Sequence, residues 1–513
     1  MFDHLIRGGR IVDGTGAPWF RGDIALEDGR IAAVGDLGSA SASRVVEAND
    51  KVVAPGFIDA HVHSDLILLE QGGCDPSLRQ GVTTHIIGQD GISYAPLTLA
   101  SRSFLQRYFA AINGGVGLEL NWSTVAEFLD RFERTTSINV AYLVPHGTVR
   151  AAVMGLEARE PSTGEIRRMQ ALVEQGLADG AVGVSTGLDY LPCLYASTRE
   201  LVEIARPAAG AGVFVSHMRD YVQRAEAAIE ETLEVGRQAG LPVHISHFNC
   251  RASVLPTLER GRRQGVDITF DAYPYLAGST VLMLALPREL HLGTTEEMVS
   301  RLREPSGARW LRGWLGQTSA PLEDMVLAHL QRPEHQGFLG MSLVEAAAAA
   351  QRPLAEFVRQ LLIDEEMQVG VVIFQRWRSE EDLLATARHP GFMVGSDGIY
   401  VGQRPHPRGW GAFARFLGHY VRERGSFTLE EMVHHMTAVP ANRFRLFDRG
   451  LLRPGMAADV VIFDADRITD RATFENGRQC ADGVTHVWVN GEPVLESGRS
   501  TGARPGRPLR QGS

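Results

Sequence analysis

Ala54-Pro-Gly-Phe-Ile-Asp-Ala-His-Val-His-Ser-Asp65 is the stretch on which the fold turns. Val52, Val53, Phe57 and Ile58 read as a buried strand, with Pro55-Gly56 as a break in it. Side chains two apart on a strand project to the same side. His61 and His63 therefore aim two imidazoles at one point, and imidazole suits zinc and similar divalent metals. Two ligands alone do not hold an ion, so the motif matters only if others arrive at the ends of later strands.

Downstream, apolar strand-like runs alternate with helical patterns. The strand candidates span 84–87, 139–144, 182–185, 213–216, 243–246, 268–271, 369–374 and 392–394. Helical patterns at 123–134, 164–178, 198–211 and 221–239 fall between them. Such alternation argues for an α/β fold with parallel strands, and about eight units favour a (β/α)8 TIM-like barrel over an open sheet. In that fold the chemistry sits at the C-terminal ends of the strands. Residues 287–345 break the rhythm with a helical, Leu- and Arg-rich segment carrying Trp310 and Trp314. This insertion reads either as a lid over the barrel mouth or as a packing element away from it.

Both ends of the chain are strand-rich. Short strands over 2–6, 10–12, 23–26, 30–34 and 44–47 are mirrored by 459–464, 484–489 and 492–495, the last two joined by Asn490-Gly491. The expectation is one small β-sandwich built from 1–54 plus 448–513, beside a catalytic barrel over 55–447. The Gly-, Pro- and Arg-rich tail from about Ser500 reads as loosely ordered.

A net charge of −10 argues against nonspecific nucleic-acid binding. No apolar run reaches the length of a membrane span, and Met1 to Arg10 carry no signal-peptide pattern. Cys74, Cys193, Cys250 and Cys480 are scattered without a Cys-x-x-Cys pair, which fits a reduced, cytoplasmic setting. The chain has a single lysine, Lys51.

Four further polar residues stand at expected strand ends: Asp90, His217, His247 and Asp397. With His61 and His63 they make four imidazoles and two carboxylates on the expected catalytic face. A metal on such ligands keeps a position open for water, lowers the pKa of that water to about 7 and polarises a carbonyl. Asp397 is placed to take the proton from water and return it to a leaving nitrogen. The constellation predicts hydrolysis of an amide or related bond of a small molecule.

The pattern resembles the amidohydrolase superfamily and, within it, the N-acyl-D-amino-acid deacylase (D-aminoacylase) family. The resemblance runs through Pro55 to His63, Gln80-Gly-Val-Thr-Thr84, Gly183 to Tyr190, His217-Met-Arg-Asp220, Ile245-Ser-His247, Tyr273 to Thr280, Gly395-Ser-Asp-Gly398 and His406-Pro-Arg408. It extends to Met436 to Asn442 and Gly455 to Ile462. It implies metal ligation by the four histidines, one or two divalent ions such as Zn2+, and Asp397 as general acid/base. It further implies an N-acyl-D-amino acid as substrate, touched by Tyr190, Tyr273, Ser279 and Arg408. A guanidinium fork suits a free carboxylate.

Two departures from the family pattern stand out. Asp90 occupies a position where the family commonly has a metal-binding cysteine, exchanging a soft thiolate for a harder carboxylate whose two oxygens can bridge two metals. Asn249 stands where a lysine is common and removes a positive charge near the substrate carboxylate. The Asp90 and Asn249 changes keep open a second reading, an amidohydrolase acting on a different secondary or cyclic amide. Lys51 lies before the first barrel strand, so a carboxylated lysine cannot bridge metals there. His146 ends another strand without an assigned role, and Cys250 reads as a small buried residue.

Overall fold

The computed structural model describes every residue except 116, 288–289, 291, 316–321 and 512–513, which removes parts of the expected insertion and tail from view. Eight parallel strands form the barrel in sequential order: Phe57–Asp59, Val82–Ile87, Asn139–Pro145, Gly183–Gly187, Val213–His217, Val243–Ile245, Ile268–Ala272 and Phe392–Val394. All are buried along their whole length, as strands covered on both faces must be. Inside the barrel, Ile58, Ile86, Leu143 and Val215 pack with Phe444 and Leu509. The outer helices start from reciprocal caps; Ser162 and Glu165 close the first turn of Thr163–Ala178. That helix turns Met169, Val173 and Leu177 inward.

The last strand meets the first through the residues of the opening motif. The Ala60 N–H donates to Val394 O at 3.2 Å and the Asp397 N–H to His61 O at 2.7 Å. Val62 and His63 then pair in parallel with Gly398 and Ile399. Barrel closure thus sets His61, His63 and Asp397 side by side.

Nine strands from both ends of the chain share a second sheet, in which Val52–Pro55 pairs antiparallel with Val460–Phe463. The Pro55-Gly56 break is where the chain leaves this sheet for the barrel. The two segments expected over 2–6 and 10–12 are one strand, Phe2–Ile11, with a register shift between Ile6 and Gly9.

Three expectations are corrected. The run expected as a barrel strand over 369–374 lies instead in a separate three-stranded sheet, where Gly370–Phe374 runs antiparallel to both Ala277–Val281 and Met325–His329. An apolar run of five residues fits either setting, because periodicity alone does not report the partner. The same sheet shows that the 287–345 stretch is not helical throughout. The tail is also ordered: the Val140 N–H donates to Arg507 O, the Leu509 N–H donates to Val140 O, and Leu509 is buried at the end of the barrel. No helix among the described residues is long and apolar enough to cross a membrane.

Candidate metal centre

Asp90 follows the second barrel strand in a tight turn with φ = 55°, a left-handed conformation. His247 (φ = 31°) and Asp397 (φ = 50°) end their strands in the same way. Such backbone is sparsely populated outside glycine and is held where surrounding structure over-determines it. Close approach does this for Asp90: a Cβ on Gly187 would stand 2.1 Å from Asp90 O, so only glycine admits the turn.

The turn brings one carboxylate against all four imidazoles. Asp90 Oδ2 lies 3.5 Å from both His63 Nε2 and His217 Nδ1. Asp90 Oδ1 lies 3.7 Å from His61 Nε2 and 3.8 Å from His247 Nε2. Asp397 Oδ1 is 3.2 Å from His63 Nε2 and 3.7 Å from His61 Nε2. Ligand atoms of His61, His63 and Asp397 fall within 4.8 Å of one another, and so do those of His61, Asp90 and His247.

These groups fit a divalent cation. Both ring nitrogens of His61 and Asp90 Oδ1 are buried without a hydrogen-bond partner, a costly arrangement unless something else ligates them. The acids also call for positive charge. Burial alone would lower the His63 and His217 imidazoles, yet Asp397 and Asp90 hold His63 up at about 9, and Asp90 and Asp189 hold His217 up at about 10. Burial opposes the charge on Asp90 too, but His217 and His61 keep its carboxyl well below the ordinary range.

Behind the imidazoles stand carboxylates that the sequence reading did not identify. Asp271 Oδ2 faces His61 Nδ1 at 3.6 Å and lies 2.9 Å from His244 Nε2, while Asp271 Oδ1 accepts from the His247 N–H at 2.9 Å. Asp189 Oδ2 faces His217 Nε2 at 3.6 Å. Each places a negative charge behind a ring whose other nitrogen faces Asp90. Asp59 accepts from the Ser396 N–H at 2.8 Å and bridges the first and last strands; burial raises its carboxyl to about 7, against the pull of its Ser396 bonds.

A family model described as "Amidohydrolase family" matches residues 44–495. The chain belongs to the amidohydrolase family. Among its relatives, D-aminoacylase of Alcaligenes xylosoxydans xylosoxydans is 37% identical over 518 residues, covering 99% of this chain and 97% of that protein. N-acyl-D-glutamate deacylase of the same organism is 37% identical, covering 99% and 96%. A crystal structure of N-acyl-D-glutamate deacylase from Bordetella bronchiseptica, complexed with zinc and a phosphonate mimic of the reaction's tetrahedral intermediate, matches with a TM-score of 0.85. It is 35% identical and covers 99% of each chain.

As in a barrel amidohydrolase, the centre opens onto a cavity of about 480 Å³ at the strands' C-terminal ends. His63, Asp90, His217, His247 and Asp397 line it, as do Tyr190, Tyr273, Ser279 and Arg408. His61 lies fully buried beneath. The structure thus brings together the ten ligand, catalytic and substrate-contact residues named from the sequence. Arg408 is placed differently from a free carboxylate clamp. Its Nη1 forms an ion pair with Asp397 Oδ2 at 2.8 Å, its Nη2 donates to Ser279 O, and its guanidinium lies 4.7 Å over the Tyr273 ring. Burial works against the Asp397 charge, but Arg408 and the His247 imidazole bring its carboxyl down to about 2. His146 has a structural partner set: its Nε2 lies 2.9 Å from Glu200 Oε1, which also accepts from Arg150 Nε.

Proposed function

We propose that this chain is a metal-dependent deacylase that hydrolyses the amide bond of N-acyl-D-amino acids to a carboxylate and a free D-amino acid. The observation that carries the reading is the convergence of four imidazoles and Asp90 beside an ionised Asp397 on a cavity wall. The ligand set is His61, His63, Asp90, His217 and His247, with Asp397 at its edge, for one or two divalent ions, zinc first. Asp90, with one oxygen toward His63 and His217 and the other toward His61 and His247, is suited to bridge two of them.

Such an ion would polarise the amide carbonyl and acidify water. The residues supply the rest. Asp397 accepts a proton as water adds to the carbonyl carbon, then returns it to the nitrogen as the C–N bond breaks. Arg408 and Ser279 meet the substrate carboxylate. Tyr190 and Tyr273 shape the wall around it. Leu284, Met325 and Ile373 also line the cavity; Met325 and Ile373 belong to the three-stranded sheet, which supports reading that sheet, with Met325 in the 287–345 stretch, as a cover over the mouth. In the same reading 1–54 plus 448–513 form the β-rich domain and 55–447 the catalytic barrel. Four free cysteines, three of them buried, suit a reducing cytoplasm.

Chelation should abolish turnover and zinc should restore it. A panel of N-acetyl-D- and N-acetyl-L-amino acids then tests the substrate. Turnover confined to the D series is expected. Hydrolysis of neither series, beside cleavage of another secondary or cyclic amide, overturns the proposal in favour of the reading that Asp90 and Asn249 keep open.

A further inference from the structure

A buried positive charge without a counter-charge is costly, and it persists where a ligand supplies the missing anion. Arg378 is such a group. It is 5% exposed and follows the Gly370–Phe374 strand. Its Nε donates to Gln375 Oε1 at 2.7 Å and its Nη2 to Tyr275 O at 2.6 Å, while Nη1 has no hydrogen-bond partner. Among the described residues no carboxylate pairs with it. The acid whose field reaches it, Asp382, commits Oδ1 to the Ala252 N–H and Oδ2 to the Ser379 N–H. The guanidiniums that line the cavity are paired: Arg408 with Asp397 and Arg219 with Glu231.

Gln375, Tyr273 and Asn249 form one patch of the cavity wall, and Arg378 stands behind it. The Tyr273 hydroxyl accepts from Asn249 Nδ2 at 2.7 Å, which leaves its own proton for a ligand. That hydroxyl lies in the field of both Arg408 and Arg378. We propose that Arg378 is a specificity-determining positioning residue, whose unpaired charge behind the Gln375–Tyr273 wall selects a substrate carrying a carboxylate there. Arg408, shared with Asp397, makes the direct contact. Asn249 brings no charge to the wall, so Arg378 supplies it from behind. The inference rests on the deacylase reading and names the group that its substrate must present.

The test compares N-acetyl-D-leucine with N-acetyl-D-leucinamide, which lacks the charge, on the metal-loaded enzyme. In Arg378→Met the KM for the acid should rise about tenfold, the size expected for a charge about 12 Å away at an effective dielectric near 20. The KM for the amide and both kcat values should stay within about twofold. Arg378→Lys, which keeps the charge and loses the fork, should keep the preference for the acid. Acid and amide KM rising together in Arg378→Met, or neither changing, overturns the proposal. Should Arg378→Met fail to fold, loss of the acid preference in folded Arg378→Lys overturns it equally, and its retention supports it. If wild type turns over neither compound, the best acid of the D-series panel and its amide replace them; no turnover across that panel sinks the deacylase reading instead. Thermal-shift titration then decides this one: greater stabilisation by the acid, lost in Arg378→Met or kept in Arg378→Lys, supports it, and equal stabilisation by both compounds ends it.

Discussion

Asp397 is held by backbone, charge and ring at once. Its N–H closes the barrel on His61 O, Arg408 pins Oδ2, and Oδ1 faces His63. A side chain so fixed should tolerate an isosteric swap. Asp397→Asn should lower kcat by about 10²–10⁴ while the thermal midpoint and the metal content measured by elemental analysis stay near wild type. Asp271 acts one layer out, on His61 and on the His247 backbone. Asp271→Asn should weaken metal binding about 10–100-fold in a chelator competition, with the fold retained in circular dichroism. The six inner residues are legible in sequence because each ends an apolar run, where a barrel puts its chemistry. Asp189 and Arg378 carry no such signal. Asp271 also ends a strand-like run, but what it touches comes from strands distant in sequence, and an acid or arginine without its neighbours looks like any solvated charge.

At the scale of elements, the barrel strands are recognisable because they are continuous apolar runs between helices. Their ambiguity has the same source: Gly370–Phe374 has that pattern and joins a different sheet. Two histidines sit inside this apolar packing as neutral rings. Burial lowers His85, between Ser64 and Ser77, to about 3, and lowers His435, beside Phe392 O, to about 4. Both values lie below the ordinary value near 6.5. Their contribution to stability is therefore complete above pH 6.5 and is lost as pH falls toward 4 and then 3. Urea midpoints should decline steadily from pH 6.5 to pH 4. In His435→Asn the decline should be shallower; an unchanged slope in that variant and in His85→Asn would show that other groups set it.

Across the whole molecule, the two sheets are stitched together around Asp459. It accepts from Asn139 Nδ2 on a barrel strand and from the Asn490 N–H, and it pairs with Arg449. The tail adds to the seam by placing Leu509 against Phe444 at the barrel's end. Leu509→Ala should cost about 2–5 kcal/mol in chemical denaturation, with KM unchanged because the site lies at the opposite rim. Composition suggested disorder for this segment, since Gly, Pro and Arg are common in loose tails; the hydrogen bonds to Val140 are a tertiary fact that composition does not carry. The pairing of Val52–Pro55 with Val460–Phe463 has a consequence for biosynthesis. Strands made at the start must wait for partners translated about 400 residues later, tens of seconds at ordinary ribosomal speed. During that interval Val52 and Val53 present an unmatched edge, so the nascent protein invites chaperone capture, and a pause late in the message would prolong the exposure.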